Sequence, residues 1–181
     1  AFASMKSLTT VNLNEGLVSL KREAFSILTN LTSLNIPSSL VEFNDAIYST
    51  GITSLHFGAS LETYVSRNES SKLTSITVDE ANTNFVSVDG VLYTKDMSTL
   101  LTYPAKKEGT SFALQDSVTT IGPSAFKYSK ITSVDLKNVE TISDECFRYS
   151  KLTSVTLPDT ITSLGTTAFS ETPITELNFS K

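Results

Sequence analysis

Few residues in this chain have the types and spacing that could do chemistry. Its 181 residues include one histidine, His56, and one cysteine, Cys146. A single histidine leaves the common nucleophilic triads with one candidate base and no nucleophile placed beside it. A reactive thiol needs an electropositive, accessible setting. Cys146 instead fills a place that related segments give to alanine, so it reads as a small buried apolar residue. Asp79-Glu80-Ala81-Asn82-Thr83-Asn84 loosely resembles a calcium loop. It lacks the turn glycine and the distant bidentate glutamate that an EF-hand requires, and reads as a solvated turn. Phosphate-cradling loops, dinucleotide fingerprints and the G-x-S-x-G elbow are missing from the sequence. One cysteine also rules out a disulfide framework or a cysteine-based zinc site. The expectation is therefore a chain that is not an enzyme and needs no metal or cofactor.

What remains is surface chemistry. The net charge is −5 with no basic cluster, a poor match to nucleic acid or anionic membrane, both of which select Lys and Arg. No apolar run approaches the length of a membrane span. Asn30-Leu31-Thr32, Asn68-Glu69-Ser70 and Asn178-Phe179-Ser180 are glycosylation sequons. In a chain so rich in Ser and Thr, several such matches arise by chance.

The elements that must position any site are written in a repeat. Leu8-Thr9-Thr10-Val11-Asn12-Leu13 returns at 31–36, 52–57, 73–78, 131–136, 152–157 and 174–179. Apolar residues hold places one, four and six, and threonine holds place two. Neighbouring copies are 21 to 23 residues apart, with one gap of 58, and a period in this range specifies a solenoid. Places four and six share one face of a strand and point inward; places three and five point onto an open face. In each full unit this phrase comes second; the first phrase of the unit, ahead of it, is Leu17–Phe25, Val118–Phe126, Val139–Phe147 or Ile161–Phe169. Ser143 followed by Asp144 and Glu145 has the chemistry of a helix N-cap and first turn, and Pro123 suits a first helical position, so this half predicts a short helical turn. Phe2, Phe25, Phe126, Phe147 and Phe169 are expected to stack into a spine. The place-two threonines, Thr9, Thr32, Thr53, Thr74, Thr132, Thr153 and Thr175, are expected to hydrogen-bond within the solenoid.

The long gap holds an insertion. Phe85–Val88, Asp89-Gly90 and Val91–Thr94 form a hairpin signal, and Leu100–Tyr103 reads as a third strand ended by Pro104. The Leu61 to Ser71 unit loses its aromatic residue and is expected to be irregular. The fold class that follows is α/β: a leucine-rich repeat solenoid with a parallel sheet on its open face, short helical turns behind, and an antiparallel β-hairpin insertion. Residues 1–181 read as one domain, a fragment of a longer array, with a β-meander inserted at about 82–110.

Units ending in Ala-Phe and followed by Leu-Thr-Ser-Val-Thr-Leu-Pro resemble the BspA-like leucine-rich repeats of bacterial and protozoan surface proteins. Asp89-Gly90-Val91-Leu92-Tyr93-Thr94-Lys95-Asp96, closing at Leu101-Thr102-Tyr103-Pro104, is similar to that family's insertion. The resemblance implies a secreted or surface-anchored protein that adheres to host proteins or other cells, with no catalytic residues. It departs at Tyr128 and Tyr149, near where family members often carry cysteine. These tyrosines occupy equivalent places in adjacent units. They join the place-five column of Asn12, Asn35, His56, Asp135, Thr156 and Asn178 as the candidate ligand-binding surface. The expected partner is a protein or glycan on a host or neighbouring cell. Weak self-association through open solenoid ends is also expected. The rival is a structural spacer that displays another domain and has no ligand of its own.

Overall fold

The computed structural model describes residues 1–69 and 72–180. The chain winds as a succession of coils, most contributing two strands, one from each phrase. The first phrase supplies β1 (Ser19–Leu20), β2 (Glu42–Asn44) and β4 (Thr63–Val65), paired in parallel in that order. The second phrase supplies β3 (Ser54–Phe57) and β5 (Ser75–Val78), also parallel. Beyond the insertion the first-phrase strands are β10 (Thr120–Ile121), β12 (Thr141–Ile142) and β14 (Ser163–Leu164). The second-phrase strands there form two separate parallel pairs: β9 (Ser111–Ala113) with β11 (Ser133–Asp135), and β13 (Ser154–Leu157) with β15 (Glu176–Phe179).

The α/β class and its helical turns are overturned: no helix occurs among the described residues, and the solenoid is built of strands and turns. The backbone gives the reason. Residues flanking the Ala-Phe pair take positive φ at a spacing of four, as in Ser124 (56°) with Tyr128 (60°), and Glu145 (54°) with Tyr149 (60°). A right-handed helix needs negative φ throughout. The hydrogen bonds alternate as a result. The amides of Ser124, Phe126 and Tyr128 donate to Asp144, Cys146 and Arg148 in the next coil. Those of Ala125, Lys127 and Ser129 donate within their own coil to Gly122, Ser124 and Phe126. Every second amide thus points along the solenoid axis, where a helix would keep all of them within the segment. Pro123 and Ser143 consequently cap nothing; Pro123 lies exposed in the turn before Ser124.

Apolar side chains fill the interior. Phe2 stacks on Phe25 at 5.6 Å, Phe126 on Phe147 at 5.0 Å, and Phe147 on Phe169 at 5.2 Å. Tyr103 extends the second run, stacking on Phe126 at 4.9 Å. Cys146 is fully buried before Phe147, and burial pushes its thiol well above the usual range. Of the seven place-two threonines, three hydroxyls hydrogen-bond: Thr74, Thr132 and Thr153 each donate to a carbonyl of the preceding coil, at 2.8 to 3.1 Å. Thr9, Thr32, Thr53 and Thr175 are exposed and make no such bond, so that expectation fails at most coils.

In the insertion, β6 (Phe85–Val88) and β7 (Val91–Thr94) pair antiparallel around Asp89 (φ 49°) and Gly90 (φ 74°), the two left-handed residues of a type I′ turn. β7 also pairs antiparallel with β8 (Thr99–Thr102), and β8 pairs in parallel with β10, Thr99 opposite Thr120. Residues 99–113 therefore complete a solenoid coil, with β8 and β9 as its two strands. The hairpin has one face for each of two cores. Val91 and Tyr93 belong to the core running to Ala168, whereas Phe85 and Leu92 belong to the core that begins at Leu20.

Two buried asparagines close the irregular places. Asn82 donates through Nδ2 to the carbonyls of Gly58, Ala59 and Leu61, and its Oδ1 accepts from the amides of Asn84 and Phe85. Asn68 donates to the carbonyls of Tyr103 and Ala125 at 2.9 and 3.0 Å, linking the irregular coil to two later ones. The serines of the Asn68-Glu69-Ser70 sequon and of the end of the Leu61 to Ser71 unit lie outside the described residues.

Candidate functional site

The place-five residues all lie exposed on the second-phrase face, but they do not gather at one point. Asn12 and Asn35 meet in an isolated parallel bridge. His56 pairs in register with Thr77, and its Nδ1 lies 3.0 Å from the Thr77 hydroxyl. Thr156 is opposite Asn178, whose amide donates to Glu176. Ala113 stands opposite Asp135, so the polar column is interrupted by a methyl group. No group of three or more His, Cys, Asp or Glu residues stands together as metal ligands among the described residues.

Tyr128 and Tyr149 lie on a different flank and do come together. Their rings stack at 5.0 Å, 9° from parallel. The stack follows from the repeat: each tyrosine has φ 60° at the same step of adjacent coils, and the Tyr128 amide donates to the Arg148 carbonyl. The Arg148 guanidinium lies 4.8 Å over the Tyr149 ring and donates to the Tyr149 hydroxyl, and the Lys127 ammonium lies 5.7 Å from the Tyr128 ring centre. With ring faces taken up by each other and by cations, this pair presents edges and hydroxyls to the outside. A sugar ring would have no free Tyr149 face to stack on, whereas a protein surface can use such edges.

Beneath the tyrosines runs an ionic chain that crosses three coils. The Lys127 side chain is only 4% exposed, and its ammonium contacts Glu69 and Glu145 at 2.7 Å each. Glu145 also accepts from Arg148 at 3.2 Å. Burial works against the Lys127 charge, but the hydrogen bonds it donates to Glu145 and Glu69 outweigh it and hold its pKa above the ordinary value. The same contact with Lys127 holds the Glu145 carboxyl below its ordinary value. Arg67, Glu69, Pro123, Lys127, Asp144 and Arg148 bound an open cleft of about 430 Å³ beside the tyrosines.

Residues 1–88 and 105–181 match the model of the BspA-type leucine-rich repeat region in six copies. The chain belongs to the BspA-type leucine-rich repeat family. The unmatched stretch contains all of β7 and β8, the part of the insertion that joins the two cores. Three solved structures share the fold. A leucine-rich repeat protein of Eubacterium ventriosum superposes with TM-score 0.79 at 22% identity, covering 92% of this chain and 58% of that one. The pneumococcal vaccine antigen PcpA gives 0.73 at 23%, covering 91% and 49%. A leucine-rich cell surface protein of Faecalibacterium prausnitzii gives 0.73 at 19%, covering 99% and 62%. The chain thus spans between about half and two thirds of the length of these structures. Among curated proteins no sequence matches.

Sequence reasoning missed Lys127, Glu69, Glu145 and Arg148. The repeat alone puts Lys127 and Arg148 at equivalent steps next to the tyrosines, which is a readable signal. Glu69 is 58 residues from Lys127 and reaches it only because the insertion folds back into the coil stack.

Proposed function

We propose that this chain is a ligand-binding module of a secreted or surface-anchored protein, and that it recognises a protein or glycan outside the cell. The observation that carries the reading is the stacked Tyr128–Tyr149 pair with Arg148 against it. Tyrosine and arginine dominate energetic hot spots at protein interfaces, and the remainder of the exposed face is small and polar. An aromatic pair positioned by a buried ionic chain holds its shape before contact, which lowers the entropic cost of binding. The surface location draws support from the family and from the neighbouring folds, two of which are described as a cell surface protein and a vaccine antigen.

The test compares the chain with its Tyr128→Ser/Tyr149→Ser form for binding to intact mammalian and bacterial cells by flow cytometry. The expected result is saturable binding by the first and at least about a tenfold loss by the second, the effect of removing one hot spot. Equal binding by both moves the site off this flank. Binding by neither favours the spacer reading, which the polar column from Asn12 to Asn178, without Tyr, Trp or Arg, supports.

A further inference from the structure

We propose that the cleft where β11 and β13 part is a saccharide subsite that takes one neutral sugar residue. The proposal rests on the binding-module reading but uses a different surface from the tyrosine flank.

The parallel ladder is present on both sides of this cleft, over three residue pairs between β9 and β11 and four between β13 and β15. The two pairs still touch where they begin: the Thr153 amide and hydroxyl both donate to the Thr132 carbonyl, at 3.0 and 3.1 Å. Beyond that point the strands separate and form no ladder with each other. The facing strand edges therefore carry backbone donors and acceptors that the neighbouring strand does not satisfy. A comparable break between β5 and β9 is filled by the hairpin, with the Ile76 amide donating to Gly90 and the Ser87 hydroxyl to Ile76. Among the described residues the break between β11 and β13 has no such filling, and it leaves a cleft of about 260 Å³.

That size lies just under the roughly 300–1,000 Å³ of pockets for drug-sized ligands and far above the roughly 30 Å³ share of one water. A single pyranose ring is the right scale. The walls match its chemistry. The hydroxyls of Ser133, Ser154 and Thr156 border the cleft and make no side-chain hydrogen bond among the described residues. Asp135 accepts the Lys137 amide through Oδ1, which leaves Oδ2 to accept from a ligand hydroxyl. Half-buried Val134 and Pro158 supply an apolar floor for the C–H face of a ring. Charge selects against anions. The Lys137 ammonium is engaged by Asp116 at 2.8 Å and also lies in the field of Asp135, so one cation is shared by two carboxylates at the rim. Phosphates, sulfates and acidic sugars are disfavoured, and a neutral polyhydroxylated ring fits.

The experiment is amide chemical-shift mapping by NMR on the full chain. The probes are N-acetylglucosamine, galactose and mannose, with sialic acid as the anionic control. The expected result is a saturable shift, at millimolar concentrations of at least one neutral sugar, confined to residues 133–137 and 154–158, with no response to sialic acid. Asp135→Ala and Thr156→Val, both surface changes whose own spectra report their fold, should each weaken binding about tenfold, the loss expected for one hydrogen bond to a charged group or somewhat less. No shift with any of the three neutral sugars overturns the proposal, as do shifts elsewhere or unchanged affinity in both variants. Tyr128→Ser/Tyr149→Ser must leave these shifts intact. Failure of cell binding with the sugar shifts present would count against the tyrosine flank and not against the cleft.

Discussion

Phe147 shows most directly how single residues hold this solenoid. It is fully buried, with Phe126 at 5.0 Å on one side and Phe169 at 5.2 Å on the other. Phe147→Ala is expected to cost about 3–5 kcal/mol in a denaturant titration, the range for a buried ring that leaves a cavity. Lys127 holds by charge. Its carboxylate partners Glu69 and Glu145 are 21% and 35% exposed, so Lys127→Met should cost less than the 3–5 kcal/mol typical of breaking a fully buried pair, about 1–3 kcal/mol. The pH dependence has a definite sign. The lowered Glu145 pKa gives stability that is present above the ordinary carboxylate range and is lost as pH falls through the lowered value. The raised Lys127 pKa gives stability that is present below the ordinary lysine value and is lost as pH rises through the raised one. Denaturation midpoints measured from acid to alkaline pH should therefore fall less steeply at both extremes in Lys127→Met than in the parent chain. The place of the tyrosines could be read from the repeat, because equivalent steps of adjacent coils stack. The pairing of Glu69 with Lys127 could not, because nothing local to either residue names its partner.

At the scale of elements, the strand phrases were readable and the turns were misread. Apolar residues at places four and six give the period of two that a half-buried strand requires. The first phrase offered Ser143-Asp144-Glu145, chemistry that suits a helix start, and local propensity had no competing mark. In the units that keep the Ala-Phe or Cys-Phe pair the left-handed steps fall on Glu23, Ile27, Ser124, Tyr128, Glu145, Tyr149, Thr167 and Glu171, none of them glycine or asparagine, so the usual letters for positive φ are missing there. Bonds between coils impose that geometry, and they are not written within one unit. β9 escaped notice because Gly109 stands where the phrase wants an apolar first residue, although Thr110-Ser111-Phe112-Ala113-Leu114 keeps places two to six. The irregular elements depend on side chains that replace missing backbone partners. Asn82→Ala would strip three carbonyls and two amides at once, and a loss of about 3 kcal/mol or more is expected from calorimetry. Gly165→Ala tests how closely coils approach: an added Cβ would lie 2.4 Å from the Asp144 amide nitrogen, a backbone atom that cannot swing aside. The coil must shift, and destabilisation of about 1–3 kcal/mol is expected.

The whole molecule is two cores joined by one hairpin, and its stability should be graded along its length. Apart from bridges such as Asn68, coils contact mainly their neighbours, so local opening is set by local burial. The second core contains β10 and β12 with fully buried Ile121, Phe126, Ile142 and Phe147. Most of residues 1–16 are exposed. Native-state hydrogen exchange is expected to be slowest in β8, β10 and β12 and fastest before Leu17. Uniform protection along the chain would contradict the graded picture. The repeat made the solenoid readable, because a fixed period survives the drift of individual letters. The division into two cores depends on which face of β7 meets which coil, and that emerges only once the insertion is folded.

The amides that point from coil to coil have a mechanical consequence. A tension applied along the solenoid axis bears on these bonds one coil at a time, as on the teeth of a zip, and never on all of them together. The registers place successive coils 21 to 23 residues apart, so each coil that peels away releases roughly 70–80 Å of slack chain at about 3.3–3.6 Å per residue. A tether built this way yields in small, repeated steps under shear, lengthening before its grip is tested, and single-molecule pulling should record a staircase with that tread.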